Sequence, residues 1–419
     1  MNPDAPETPR FPSRGLPAWL LCLLLAAFAV GTDDFVVAGV LPEVATGLRV
    51  SEAAAGQLVT VFSITYAVAA PVLAVATARL PRRRLFVGAM LVFALANVGA
   101  ALAPTYAVLM AFRVVAALAA AAITPAAFAI AAALAPRERM GRAIGTVAAG
   151  LTLALALGVP VGTWLGAAFG WRSTFAFVVV LAVAVLAATP VFLPDLPGAA
   201  EIGLRRRFRA LTRPAILLGV SGTVLGATGG LMTYTYIAPI VRDLTGAGTA
   251  QLAALIAVVG VAGAIGTDLG GRATDRWGAD RALLVTIAGQ VAATGVLAAI
   301  GFAGDGASPL PLVAAVFAVW GLAGWAFNPP MNTRMLELAG PAGTEVVALN
   351  TSGLYVGIAL GGALGGAAVA GYGGIGVTVA SAVIGLATIV LLAASVVRYA
   401  APRAAAGPER DHGPAARQT

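Results

Sequence analysis

The sequence holds one cysteine, Cys22, and one histidine, His412, in 419 residues. No disulfide can form within the chain, and metal centres built from His and Cys, catalytic triads and thiol nucleophiles are excluded with it. Lysine is absent, so an ATP-binding loop of the Gly-x-x-x-x-Gly-Lys type is impossible. Charge is scarce too: acidic and basic residues make up 11%, against about 25% in an ordinary soluble domain. That is too little polar material to coat a globule of this length, which excludes a soluble enzyme. An intramembrane hydrolase would lack its base, because the lone histidine sits in a polar tail.

What the sequence does contain is apolar length. Hydrophobic residues make up 60%, and twelve membrane spans of about 21 residues would use nearly all of them. Twelve runs can be read, bounded by Arg, Pro or Gly: 16–40, 55–78, 85–103, 106–135, 141–169, 173–193, 215–240, 251–269, 282–302, 310–336, 344–370 and 374–397. In hydrocarbon every backbone amide must be paired within its own segment, so runs this long and without alternation are helices. The expected fold class is an all-α membrane protein of twelve transmembrane helices in two six-helix pseudo-repeats. The first run carries Asp33 and Asp34 and leads into further spans, so it is expected to be retained and not cleaved as a signal peptide.

Arginine placement predicts orientation. Twenty-two arginines fall at one side of the spans, including Arg79, Arg83, Arg205, Arg276 and Arg334. Three, Arg49, Arg172 and Arg242, fall at the other, and Arg113 lies inside a span. By the positive-inside rule both termini are cytoplasmic, and the Arg205–Arg209 run is topological and not a nucleic-acid patch. The chain divides into a tail (1–15), a six-helix bundle (16–193), a linker (194–214), a second bundle (215–397) and a tail (398–419). An offset of 197 carries Pro42 onto Pro239 and the turn 74–84 onto 271–281, as two parallel halves around a central pathway require.

The second of these turns, Gly271-x-x-x-Asp275-Arg276-x-Gly278-x-x-Arg281, resembles the signature loop of the major facilitator superfamily. Its degenerate partner carries Arg79 and Arg83, with Ala78 where the signature has Asp and Pro81 where it has Gly. Gly31-Thr32-Asp33-Asp34-Phe35 in the first span, Arg113 in the fourth, and Gly158, Pro160, Gly162 and Gly166 in the fifth are similar to stretches of the twelve-helix drug:proton antiporter branch. The resemblance implies a transporter and not an enzyme, working by alternating access. It would export a small amphipathic organic compound such as a drug, antibiotic or metabolite in exchange for protons. No cofactor is implied beyond the proton as coupling ion. Its partners are the solute, protons and the lipid bilayer, with no nucleic acid, and it is expected to act as a monomer in a bacterial inner membrane. The alternatives are a substrate-specific exporter of sugars, purines or amino-acid derivatives and, from another class, a non-transporting membrane sensor.

A charge at the bilayer centre costs about 2.5–3.5 kcal/mol, so each one there needs a reason. Asp33, Asp34 and Arg113 are expected at one depth, roughly 9–11 Å below the surface at 1.5 Å per residue. Neighbours on a helix point about 100° apart, so only one acid can face Arg113 squarely. Asp34 is the expected partner and proton carrier, and Asp33 a pathway-lining or interfacial acid. Asp268 is expected to be solvated near the end of its span. The 197 offset places Leu231 and Leu310 opposite Asp34 and Arg113, so the second half lacks this charge pair. That half offers Tyr234, Tyr236, Trp320, Trp325, Asn328, Asn350 and Tyr355 as candidate solute contacts. The glycines of the fifth span and those at 353–366 are expected to form a sliding seam between the halves. The gating residues Arg79, Arg83, Gly271, Asp275, Arg276 and Gly278 are expected to cap helix ends and close the inner gate.

Overall fold

The computed structural model describes residues 16–136, 139–198, 212–304 and 306–400. Both expected tails, most of the linker and Arg137 therefore lie outside the described residues, except for the stretches 194–198, 212–214 and 398–400 at their edges. The first half runs α1 (Ala18–Val36), α2 (Leu41–Leu48), α3 (Glu52–Ala76), α4 (Arg82–Ala101), α5 (Tyr106–Leu134), α6 (Met140–Leu153), α7 (Val159–Phe169) and α8 (Arg172–Phe192). The second runs α9 (Pro214–Thr235), α10 (Ile237–Thr245), α11 (Thr249–Trp277), α12 (Ala279–Ala303), α13 (Leu310–Ala326), α14 (Asn328–Ala339) and α15 (Gly343–Arg398). No strand occurs among the described residues.

Several spans are broken helices. A 3-10 turn at Val37–Gly39 joins α1 to α2, and Tyr236 separates α9 from α10. A π-helical turn at Ala154–Gly158 joins α6 to α7. α15 is two spans in one trace, broken at Gly373, whose φ of 64° favours glycine. Counted so, the eleven long apolar helices give the twelve expected spans. Starts at the arginine-poor end are capped by side chains: Ser51 Oγ accepts from Ala54 N, and Thr105 Oγ1 from Val108 N.

One boundary differs in a way that matters. The eighth span does not stop at 269 but continues as α11 to Trp277, so Gly271, Asp275 and Arg276 are helical and the turn is confined to Gly278, at φ 82°. The signature stretch is a helix end capped by glycine, whose N–H bonds Thr274 O at 2.9 Å.

Buried apolar residues form three cores. One lies toward the arginine-poor end and draws on both halves, including Val36, Leu41, Leu58, Trp171, Phe175, Tyr236, Ile237, Trp320 and Ile358. The other two lie toward the arginine-rich end. One is built from first-half residues such as Phe62, Phe86, Phe93 and Val178, and the other from second-half residues such as Ile216, Ile287, Met331 and Leu392. The halves thus share packing at one end and are packed separately at the other. α3 shows the change along its length, for none of its residues after Ala69 is buried.

Candidate functional site

Thr32, Asp33 and Asp34 sit on the last turns of α1, and the rotation of that helix is set by α7 and the π turn behind it. A Cβ on Gly158 would fall 2.0 Å from Thr32 Oγ1, one on Gly162 2.5 Å from Val36, and one on Gly166 2.4 Å from Val40. These glycines therefore seat α1 within its own half, contrary to the expectation that they line the seam; Pro160 opens α7 at its first turn. At the seam itself the π turn touches the other half, with Leu155 O and the Ala156 backbone against Gly260 of α11. Among the later glycines, Gly362 and Gly366 meet the first half at Thr60 and Gln57, whereas Gly353, Gly357, Gly361 and Gly365 pack on α9 and Tyr236 of their own half.

This rotation decides the charge pairing. Arg113 Nη1 donates to Asp33 Oδ1 at 2.8 Å, with both side chains fully enclosed. The expected Asp34–Arg113 pair is corrected: Asp33 takes the arginine, and Asp34, about 100° round the helix, faces the other half. There Tyr355 Oη of α15 donates to Asp34 Oδ2 at 3.0 Å. The guanidinium lies over the Phe62 ring, 4.3 Å from its centroid, and Arg113 Nε, Arg113 Nη2 and Asp33 Oδ2 have no hydrogen-bond partner.

Asp34 also lines a cavity with Phe35, Ala38, Val59, Leu231, Tyr234, Thr235 and Ile358, with room for about one water molecule. Leu231, the residue the 197 offset sets against Asp34, thus faces it across the seam. The offset drifts further along, because the fourth and tenth spans begin at Tyr106 and Leu310. Arg113 accordingly corresponds to the buried Phe317 and not to Leu310, and the second half still lacks the charge.

Tyr234 and Trp320 lie near parallel with centroids 6.4 Å apart, and Trp325 and Phe35 stand edge-on to Tyr234 at 5.8 and 5.7 Å. Tyr234 Oη and Trp320 Nε1 are buried without a partner. The other expected contacts fall elsewhere. Tyr236 is a seam residue, its hydroxyl donating to Gly362 O at 2.7 Å. Asn350 is held within its half by Thr223 and Asn332. Asn328 is half-buried at the start of α14. Tyr66, which sequence reasoning missed, stacks on Tyr355 at 3.9 Å; its spacing of four from Phe62 on one face of α3 was the available signal.

At the arginine-rich end, Arg83 bonds Pro190 O of the first half at 3.1 Å and pairs with Asp195 at the start of the linker at 3.6 Å. Arg79, Asp275 and Arg276 are exposed, and Asp268 is a solvated acid paired with Arg272 at 2.8 Å. Arg334, counted with the arginine-rich side for orientation, is fully buried on α14 and bonded to Asp280.

A sequence profile described as Major Facilitator Superfamily matches residues 23–344. The chain belongs to that superfamily. Its relatives include the inner membrane transport protein YdhP of Escherichia coli O157:H7, 34% identical over 376 residues that cover 89% of this chain and 94% of that protein. Another is the chloramphenicol resistance protein of Streptomyces lividans, 34% identical over 350 residues, 83% and 88% of the two chains. A third is a chloramphenicol efflux pump of Mycobacterium tuberculosis, 31% identical over 366 residues, 86% and 87%. Among solved structures, a D-xylose–proton symporter superposes with a TM-score of 0.75 at 16% identity, covering 90% of this chain and 96% of that one. This likeness shows the fold alone. The protein is therefore a multi-pass major facilitator transporter, not an enzyme, and its substrate is a small molecule handled in a lipid bilayer.

Proposed function

We propose that this transporter exports a small amphipathic organic compound in exchange for protons, with Asp34 as the proton site and the arginine-rich end in the cytoplasm of a bacterial cell. The observation that carries the reading is the placement of Asp34. Its carboxylate lies between the halves, lines the cavity, and bonds a neutral phenol while Arg113 is spent on Asp33. The Asp33–Arg113 pair buries no net charge. Ionised Asp34 adds one uncompensated charge, a cost that reaches about 2.5–3.5 kcal/mol at the bilayer centre, and a proton removes it.

In this orientation the shared core and the ties Glu52–Arg242 and Glu43–Thr249 close the outer face. Solute would enter from the cytoplasm toward Tyr234, Trp320 and Trp325, whose rings suit a flat, largely apolar molecule. Relatives named for chloramphenicol efflux and resistance support an aromatic antibiotic as cargo. One proton moving down about 150 mV supplies roughly 3.4 kcal/mol, a few-hundred-fold gradient of a neutral solute.

The test is expression in an efflux-deficient bacterium with a susceptibility panel that includes chloramphenicol, beside an Asp34→Asn variant. Resistance to at least one compound, abolished in Asp34→Asn, is expected. Full activity in Asp34→Asn would end the proton-site reading, and downhill flux indifferent to pH would make the protein a facilitator.

A further inference from the structure

Tyr355 belongs to the second half by sequence and to the first by contact. Its ring lies on Tyr66 of α3, with centroids 3.9 Å apart and planes 22° from parallel, and it packs against the first half's own core. Its hydroxyl ends on Asp34 Oδ2. Among the described residues the other ties across the seam, Glu52–Arg242, Glu43–Thr249 and Gln57–Gly362, lie nearer the arginine-poor end and end on half-buried acids or a backbone carbonyl. The tie at Tyr355 is deeper, and it ends on the one group there whose charge changes in the transport reading.

From this juxtaposition we infer that Tyr355 is the positioning residue that locks the empty carrier: it holds the halves together at Asp34 while Asp34 is ionised, and lets go when Asp34 takes a proton or a solute takes its place. The inference rests on Asp34 being the proton site. A hydrogen bond to an ionised carboxylate is roughly twice as strong as one to a neutral acid, so the lock is present at pH above the titration of Asp34 and weakens as pH falls through it. The titratable and charged groups around Asp34 are Asp33 on α1, Arg113 on α5, Tyr66 on α3, Tyr234 on α9 and Tyr355 itself. Of these, Asp33 is already engaged by Arg113. The consequence is a coupling rule. An exchanger that reorients while empty and unprotonated dissipates the gradient, and the Tyr355–Asp34 bond forbids that step.

The experiment needs no solute, because protons alone are the probe. Leu102 and Phe302, at the arginine-poor ends of α4 and α12, are 73% and 75% exposed, one in each half. Spin labels on Leu102→Cys and Phe302→Cys in reconstituted full-length protein report the separation of the halves at that end; Cys22 is buried. The wild-type background should show a single short distance at pH 8 and a longer population at pH 5. Tyr355→Phe keeps the ring and loses the bond; it should show the longer population at pH 8, raised about tenfold over wild type. Asp34→Asn should show it at both pH values. Tyr355→Gln keeps a donor and should follow the wild type. If Tyr355→Phe matches the wild type at both pH values while Asp34→Asn does not, Tyr355 is no lock and the proton site stands. If Asp34→Asn retains the wild-type pH response, the proton-site reading fails and this one with it. If Tyr355→Gln unlocks as Phe does not, the ring stack and not the bond carries the closure, which overturns the inference.

Discussion

Among the described residues each half encloses one arginine completely, and the two are satisfied very differently. Arg334 donates to Asp280 Oδ1 at 2.7 Å, to Ser395 O and Oγ at 3.1 Å and to Tyr399 O at 2.9 Å, leaving only Nη1 unused. Arg113 makes one bond, to Asp33, and leaves Nε, Nη2 and Asp33 Oδ2 without partners against the face of Phe62. A buried donor or acceptor left unpaired costs about 1–3 kcal/mol. Saturation identifies the fixed anchor, which rivets α12, α14 and the end of α15 into one block at the arginine-rich end. Deficiency leaves Arg113 with donors to spare, and it occurs at the depth where the halves meet around Asp34.

The sharpest way to break the comparison is to remove each arginine. Arg334→Met takes the buried guanidinium away from Asp280 and from the acceptors Ser395 Oγ and Tyr399 O, so a loss of about 3–5 kcal/mol is expected, read as poor folding or a large fall in melting temperature in detergent. Adding Asp280→Asn should recover only part, because Ser395 Oγ and the carbonyl of Tyr399 still lose the donor that Arg334 supplied. At the other site, Arg113→Gln with Asp33→Asn removes both charges, and replacing a buried pair is often neutral for stability. That double variant should melt within about 2–4 °C of wild type, a change of about 1 kcal/mol, yet lose gradient-driven export in everted vesicles. A fold-breaking effect at Arg113 with tolerance at Arg334 would reverse the assignment of Arg334 as the structural anchor.

The sequence made some of this visible and hid the rest for physical reasons. Twelve spans could be read because hydrocarbon demands length and apolarity from each helix by itself. Asp33, Asp34 and Arg113 stood out because charge in that setting is expensive. Which acid meets Arg113 could not be read, since it depends on the rotation of α1, and Gly158, Gly162 and Gly166 set that rotation from 120 residues away or more. The bond from Tyr355 to Asp34 joins residues 321 apart, and an aromatic in an apolar helix has no sequence mark to separate a seam from a lipid face. Arg334 passed for a topological arginine because it lies near a span end; only the return of the last span brings Ser395 and Tyr399 over it. The signature stretch was legible as residues but not as helix, because its stop is decided by the positive φ of Gly278.

The smallest expected effect lies at the arginine-poor end and separates surface from interior ties. Arg242 pairs with both oxygens of Glu52 across the seam and with Asp243 beside it, while half exposed. The bond to Glu52 raises the guanidinium above its ordinary value, so the arginine stays charged at any working pH and salt is the lever. Exposed pairs are worth about 0–1 kcal/mol. Arg242→Gln should therefore shift the balance between closed and open outer ends by only about threefold, in the same spin-label measurement. Raising salt to about 1 M, where the screening length is about 3 Å, should reproduce that shift in the wild type and add nothing in the variant. A salt response that persists in Arg242→Gln would move the outer closure onto Glu43 and Thr249, or onto the shared apolar core alone.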